Sequence, residues 1–297
     1  MKVIHAANSI LQTIGKTHLI KINNIYAKLE TTNPSGSIKD RLAWYMVKKA
    51  EQRGELKLSS KIIEVTSGNT GIAFAMISAV RGYRFVAVMP ESMSKERRAL
   101  LKSFGAEIIL TPAGEDIAGA MEMYNKIIKK YPDAWLPRQF ENPDNIAAHR
   151  EGLGKEIIEQ IPNVEAFVAG IGTGGTLIGV AQALKKVNPN VRIIGIEPEE
   201  SAVLSGKKPG FHSIQGIGEG FIPKLVEENI DVIDEVITIK SSDAIKMRET
   251  LAKQYGLLVG ISSGANVLGA MEIRKKYENV VTVLPDRGER YLTVKYK

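Results

Sequence analysis

The sequence predicts an α/β protein of two lobes, each a three-layer αβα arrangement around a mostly parallel, twisted sheet. Three observations carry this expectation. Short β-rich runs alternate with amphipathic runs for most of the chain, as parallel βαβ folds require. The alternation recurs at about 25 residues, the length of one such unit, without any repeat of the sequence itself. At 297 residues the chain is long for a single compact core and suits two.

Taken in order, Ile25 to Leu29 reads as an early strand and Ile38 to Gly54 as a helix with Leu42, Tyr45 and Met46 at 3,4 spacing. Lys61 to Val65 is a buried strand feeding the loop 66–71, and Ile72 to Arg81 is a helix of small and apolar residues. A strand at Phe85 to Met89, a helix over Lys95 to Phe104, a strand at Ile108 to Leu110 and a helix from Glu115 to Tyr131 complete the first half. The polar, proline-bearing stretch Trp135 to Pro143 is the expected crossing between lobes. Beyond it follow a helix from Ile146 to Gln160, a strand at Ala166 to Gly170, a helix from Leu177 to Lys186 and a strand at Arg192 to Glu197. Ser205 to Phe221 reads as a long loop, and loops of that length inside a domain are usually functional or mobile. Strands at Glu235 to Ile239 and Val280 to Leu284 bracket a helix from Ser241 to Tyr255 and the turn 260–264.

Hydrophobic residues make up 44% and charged residues 25%, ample for a core and without a disorder signature. No apolar run reaches the roughly 18 residues of a membrane span and the N-terminus has no signal-peptide pattern, so the expected location is the cytoplasm. Zero cysteines remove disulfides, thiolate metal sites and a cysteine nucleophile. Four histidines without ligand spacing leave no expected metal site. The net charge of +7 is spread along the chain in short pairs with no aromatic interleaving, so no nucleic-acid partner is expected and a preference for anionic small substrates is the milder inference.

Four stretches carry chemistry. In Asn33-Pro34-Ser35-Gly36-Ser37-Ile38-Lys39-Asp40-Arg41, proline and glycine shape a tight turn, Ser37 can cap a helix, and Lys39 falls in its first turn. The positive end of the helix dipole and the nearby Arg41 are expected to disfavour protonated Lys39, which makes it a candidate Schiff-base former. The loop Gly170-Ile171-Gly172-Thr173-Gly174-Gly175-Thr176 joins a strand to a helix; glycine backbone, two hydroxyls and a helix N-terminus form a phosphate cradle. Thr66-Ser67-Gly68-Asn69-Thr70-Gly71 is a second strand-loop-helix junction suited to a carboxylate. Ser262, in Gly260-Ile261-Ser262-Ser263-Gly264, can meet a neutral ring nitrogen, although in isolation it reads first as a helix cap. A competing reading takes Gly170, Gly172 and Gly175 as G-x-G-x-x-G with Glu197 at the end of the next strand, the signature of an NAD-dependent oxidoreductase. Its position in the second half of the chain, and Thr176 directly after the third glycine, fit a terminal phosphate better.

In this order the four motifs resemble the fold-type II pyridoxal-phosphate enzymes, of tryptophan-synthase-β-like architecture. Within them they resemble the cysteine synthase (O-acetylserine sulfhydrylase) and cystathionine β-synthase branch. The similarity runs from Ile14-Gly15-Lys16-Thr17 to Gly288-Glu289-Arg290-Tyr291-Leu292. The resemblance implies pyridoxal 5'-phosphate held by Lys39 as a Schiff base, with Asn69 on its ring oxygen. It implies Gly172, Thr173, Gly174, Gly175 and Thr176 around the phosphate and Ser262 at the pyridine nitrogen. It also implies Thr66, Ser67, Gly68, Thr70 and Gln139 around the substrate carboxylate. Residues 38–139 would be a smaller mobile domain carrying the asparagine loop, with 1–37 plus 140–297 the larger domain carrying the phosphate loop. The implied reaction is β-replacement on an activated serine, O-acetylserine foremost, with sulfide giving L-cysteine; O-phosphoserine, or serine with homocysteine, are the alternatives. A homodimer and a docking serine acetyltransferase tail are the implied partners. His18, Gly152-Leu153-Gly154-Lys155, Arg138, Glu219 and Arg287 depart from the usual pattern and bear on substrate choice. Arg138 and Arg150 are the candidates for reading a phosphate leaving group.

Overall fold

The computed structural model describes residues 6–58, 60–66 and 68–294. After a 3-10 turn, the first elements are β1 (Leu19–Ile22), β2 (Ile25–Leu29), α1 (Lys39–Gln52), β3 (Lys61–Val65), α2 (Asn69–Arg81), β4 (Arg84–Pro90), α3 (Lys95–Ser103), β5 (Glu107–Thr111) and α4 (Asp116–Ile128). Then come α5 (Asp144–Ala148), a π-helical turn at His149–Gly154, α6 (Lys155–Gln160), β6 (Ala166–Gly170), α7 (Gly175–Val187), β7 (Arg192–Pro198) and α8 (Lys224–Glu227). The chain closes with β8 (Glu235–Ile239), α9 (Ser241–Tyr255), α10 (Ile261–Ile273) and β9 (Val280–Leu284). Among the described residues no helix is long and apolar enough to cross a membrane.

The expected α/β class is what the chain adopts. One sheet of six strands runs β1-β2-β9-β6-β7-β8, parallel except for the β1–β2 hairpin, and a second of three strands runs β3-β4-β5, all parallel. Both sheets are covered on both faces, as parallel sheets must be. On the larger sheet one face packs Phe167, Val281 and Ile193 under Leu177, Val180 and Leu184 of α7. The other packs Val168, Ile194 and Val280 under Ala265, Val267 and Ala270 of α10. On the smaller sheet Ile62, Phe85 and Ala87 meet α1 and α2, while Ile63, Val86 and Val88 meet α4.

Three features go beyond the expected elements. β1 is an extra antiparallel edge strand. Trp135 bridges Ile62 in parallel, donating its N–H to Lys61 O at 2.8 Å, so the crossing segment is stitched to the edge of β3. The expected helix 146–160 contains the π turn, which buries His149 and Leu153. Its neighbour α7 approaches closely: a Cβ on Gly179 would lie 2.4 Å from Ile146 O, and one on Gly154 would lie 2.5 Å from the Ala183 Cβ.

A buried ionic cluster ties the N-terminal strands to α1 and α6. Arg41 donates to both oxygens of Glu30 at 2.6 and 2.8 Å and to both of Glu156 at 2.7 and 2.8 Å. Lys28, fully buried, donates to Glu156 and Thr17 O at 2.8 Å and to Gln160 at 3.0 Å. Burial opposes ionisation of Glu156, but hydrogen bonds from Arg41 and Lys28 hold its carboxyl down at about 2, against 4.5 for a free glutamate. A depressed carboxylate stabilises the fold fully above its unfolded pKa and loses that contribution as pH falls through the folded one. Unfolding experiments should therefore show stability falling between about pH 4.5 and 2, with Glu156→Gln flattening that limb. The substitution should also cost about 3 kcal/mol at neutral pH, because it strips a partner from two buried cations.

Candidate active site

The turn before α1 is laced to the end of β9. Gly36 has φ +86° and donates to Asn33 O at 2.7 Å, Ile38 donates to Pro285 O at 2.8 Å, and Ser37 bridges Asp286. Lys39 N–H donates to the Ser37 hydroxyl at 3.3 Å, but the helix begins at Lys39 with Ile38 as its N-cap, so Ser37, the expected cap, stands one residue before the cap position. The Lys39 side chain reaches a cavity between the two sheets. Burial pushes its amine below the usual lysine range, while Glu219 and Asp286 pull it back. Arg41 plays no such part. Two residues along a helix lie about 200° apart, so Arg41 turns away into the Glu30–Glu156 cluster while Lys39 faces the cavity. The expected effect of Arg41 on Lys39 is thereby corrected, and burial takes its place.

The glycine loop between β6 and α7 forms one wall. Gly172 and Gly174 line the cavity with Thr173 and Thr176. A Cβ on Gly172 would lie 2.4 Å from Gly216 O, and Gly174 has φ +86°, so both positions require glycine. Asn145 donates to Thr173 Oγ1 at 2.9 Å, Gly175 opens α7 against the Asn145 side chain, and Thr176 lies 3.3 Å from His149 Nε2. Burial, with Arg41 and Lys39 nearby, pushes His149 well below the usual imidazole range, so the ring is neutral. Behind the loop, Asn266 accepts from Gly170 N–H at 2.8 Å. Ser262, in the first turn of α10, lines the same cavity.

The asparagine loop forms the opposite wall. Thr66 is turned inward: its Oγ1 accepts from Gly68 at 3.0 Å and Gly71 at 2.9 Å, so it shapes the loop. Gly68 has φ +148° with the Arg97 side chain against it, leaving no room for a Cβ. Asn69 donates to Asp286 Oδ2 at 2.7 Å and accepts from Arg290, and lines the cavity. Thr70 donates to Gln139 Oε1 at 2.7 Å, and both face the cavity. Ser67 lies outside the described residues.

The structure adds Arg97, Glu219, Asp286, Arg290 and Tyr291 to this neighbourhood. Arg97, 3% exposed, donates to Gln215 and stacks 4.9 Å over the Tyr291 ring; Tyr291 in turn donates to Asp286. Sequence alone singled out only Glu219, as a departure from a family pattern, because the others gain their place through partners far along the chain. Other candidates fall elsewhere. Glu197 accepts from the N–H groups of Leu204 and Ser205 at 2.7 and 3.0 Å and from the Ser205 hydroxyl, so the carboxylate a dinucleotide ribose would need is already used. Arg138 and Arg150 are exposed and outside the cavity lining. His18 and Arg287 are exposed and Leu153 is in the core, all apart from the cavity.

The residues present fit a cofactor with a phosphate at one end and an aldehyde at the other. Glycine amides, threonine hydroxyls and the start of α7 suit the phosphate, Gly172 and Gly174 stand where only glycine fits, and a buried amine with lowered proton affinity suits the aldehyde. That combination defines a pyridoxal-phosphate enzyme. The chain belongs to the pyridoxal-phosphate dependent enzyme family, whose model matches residues 10–286. A cysteine synthase of Staphylococcus aureus (strain N315) is 46% identical over 299 residues, covering 96% of each chain. The solved cysteine synthase (OASS) of Entamoeba histolytica superposes with a TM-score of 0.93 at 43% identity, covering 98% of this chain and 90% of that one. The O-acetylserine dependent cystathionine β-synthase of Helicobacter pylori does so with a TM-score of 0.93 at 40% identity, covering 98% and 99%. Gly172→Ala should weaken cofactor binding at least about tenfold, a loss of ~1.4 kcal/mol, measured by titrating the apoprotein and following the visible absorbance.

Proposed function

We propose that the protein makes L-cysteine by β-replacement, taking O-acetylserine and then sulfide. The observation that carries the reading is the convergence on one cavity of Lys39, the asparagine loop with Thr70 and Gln139, and the glycine cradle. The likeness to cysteine synthases along nearly the whole chain supports it. Gly172, Thr173, Gly174, Gly175 and Thr176 would hold the phosphate, Asn69 would serve the ring oxygen and Ser262 the ring nitrogen. When bound, pyridoxal phosphate supplies the electron sink for a carbanion at the substrate Cα. Ser67, Gly68, Thr70 and Gln139 receive the substrate carboxylate; Gln139 has a side-chain N–H to offer because its oxygen is already satisfied by Thr70. Thr66 acts through the loop it caps. Lys39 Nζ would bond the cofactor's aldehyde carbon and, in the reaction, would take and hold the proton from the substrate Cα.

Residues 38–139 serve on this reading as the smaller mobile domain, closing when the loop grips the carboxylate and excluding water. The enzyme works as a cytoplasmic homodimer, and the mouth of the site can receive a serine acetyltransferase tail. Acetate as the leaving group is supported by the likeness to cysteine synthases and by Glu219 in the cavity lining, and Arg138 and Arg150 lie outside it; Arg97 lines the cavity too, bonded to Gln215 and stacked on Tyr291. O-phosphoserine is the second reading on which these charges bear.

The reconstituted protein should be yellow and should form cysteine from O-acetylserine and sulfide. With O-phosphoserine kcat/KM should be at least about a hundredfold lower, ~2.8 kcal/mol in the transition state. Lys39→Ala should lose both the reducible visible band and the activity. A colourless reconstituted protein would sink the proposal, and preferential use of O-phosphoserine would reverse the substrate assignment. Glu219→Gln should lower the pKa of Lys39 in the apoprotein, read from the pH dependence of its acylation, because it removes the first of the two charges that favour the ammonium.

A further inference from the structure

Behind the substrate wall sits a carboxylate that none of the chemistry above uses. Glu64, at the end of β3 and 3% exposed, accepts hydrogen bonds from two consecutive backbone amides, Arg138 N–H at 3.0 Å and Gln139 N–H at 3.4 Å. Arg138 is held at φ +53°, a left-handed conformation that disfavours side chains other than glycine. From that turn the Gln139 side chain runs back along β3, donating to Val65 O at 3.4 Å and accepting from Thr70 at 2.7 Å. Its carbonyl accepts from Asn145, which also bonds Thr173 of the glycine cradle. Gln139 is thus the piece common to both walls, and Glu64 grips the backbone that presents it.

Burial pushes the Glu64 carboxyl up to about 8, and the amides of Arg138 and Gln139 pull it back. The other ionisable groups acting there are Glu141 and Arg138 from the turn and Tyr124 from α4. Both oxygens accept here, in the ionised form and, through the acceptor capacity left beside its O–H, in the protonated form that a value of about 8 favours at neutral pH. A glutamine in its place offers one oxygen and sets an NH2 against the second amide.

We infer that Glu64 is a positioning residue for the amino-acid substrate, fixing the left-handed turn at Arg138 so that Gln139 stands at the cavity wall. The inference rests on the proposed role of Gln139 at the substrate carboxylate. Its test is a double-mutant cycle on the holoenzyme, with kcat and KM for O-acetylserine measured for wild type, Glu64→Gln, Gln139→Ala and the pair. Glu64→Gln should raise KM about tenfold, ~1.4 kcal/mol, leaving kcat within about twofold and the visible spectrum unchanged. In the Gln139→Ala background it should add nothing, since neighbours acting through one group are not additive.

Arg138→Gly should recover most of the KM lost in Glu64→Gln, because glycine takes φ +53° without the clamp. An unchanged KM in Glu64→Gln, or fully additive effects with Gln139→Ala, overturns the inference. A normal KM in Gln139→Ala instead removes the substrate role of Gln139, and the inference falls with it, a result separable from the first two. Should Glu64→Gln fail to fold, Glu64→Gln/Arg138→Gly carries the test: a KM near wild type supports the inference, and one still raised about tenfold places the effect outside the turn and overturns it.

Discussion

The grip of Glu30 and Glu156 on Arg41 is the constraint on which the active site depends. Arg41 sits on the first turn of α1, and four hydrogen bonds to two carboxylates leave that turn no freedom to rotate. Lys39, on nearly the opposite side of the same turn, is then aimed into the cavity by the same grip. Glu30 follows β2, and Glu156 belongs to α6 beside the π turn, so the lysine is registered against the larger sheet. Removing one member of such a cluster leaves a buried charge without its counterpart, which is why it acts as a single unit.

The two walls of the cavity come from different sheets and are joined by few side chains. Asn145 bonds both Gln139 O and Thr173 Oγ1, linking the crossing segment to the glycine cradle. On the other side Arg290 holds Asn69 and Ser35 O, while Asp286 accepts from Asn69 and Tyr291. Arg97 reaches from α3 to Gln215 in the long loop. These are polar ties of the kind that can break and re-form, whereas each sheet is packed continuously on both faces. A closure of the smaller lobe would exchange the former and leave the latter intact.

Much of the site was legible because its parts are local. A glycine loop between strand and helix, a small-residue loop before a second helix, and a lysine after a proline-glycine turn each announce themselves within about ten residues. The parallel sheets and the flanking helices followed from periodicity. What stayed hidden depends on distance in sequence. Asp286 and Arg290 matter because Asn69 lies beside them, more than two hundred residues away. The π turn depends on how closely Gly154 and Gly179 let two helices approach. The effect expected of Arg41 failed for a related reason: sequence adjacency suggested repulsion, while helix geometry and two distant glutamates turned the guanidinium away from the cavity into a buried cluster.

The charges around Lys39 bear on why a buried lysine is useful here. Burial alone weakens its amine as a base, and an ordinary exposed lysine would be protonated at neutral pH. Glu219 and Asp286 act against the burial without cancelling it, so the net shift is downward. On the reading proposed above, Lys39 must be free to bond the cofactor and must later hold a proton taken from carbon. A lowered proton affinity serves both, because it brings the two states nearer in energy than they are in an exposed lysine. The two carboxylates reach the cavity from the loop at 216–220 and from the end of β9, elements that also carry its walls. Geometry and proton affinity are therefore set by the same pieces of chain, and a shift of either element changes both together.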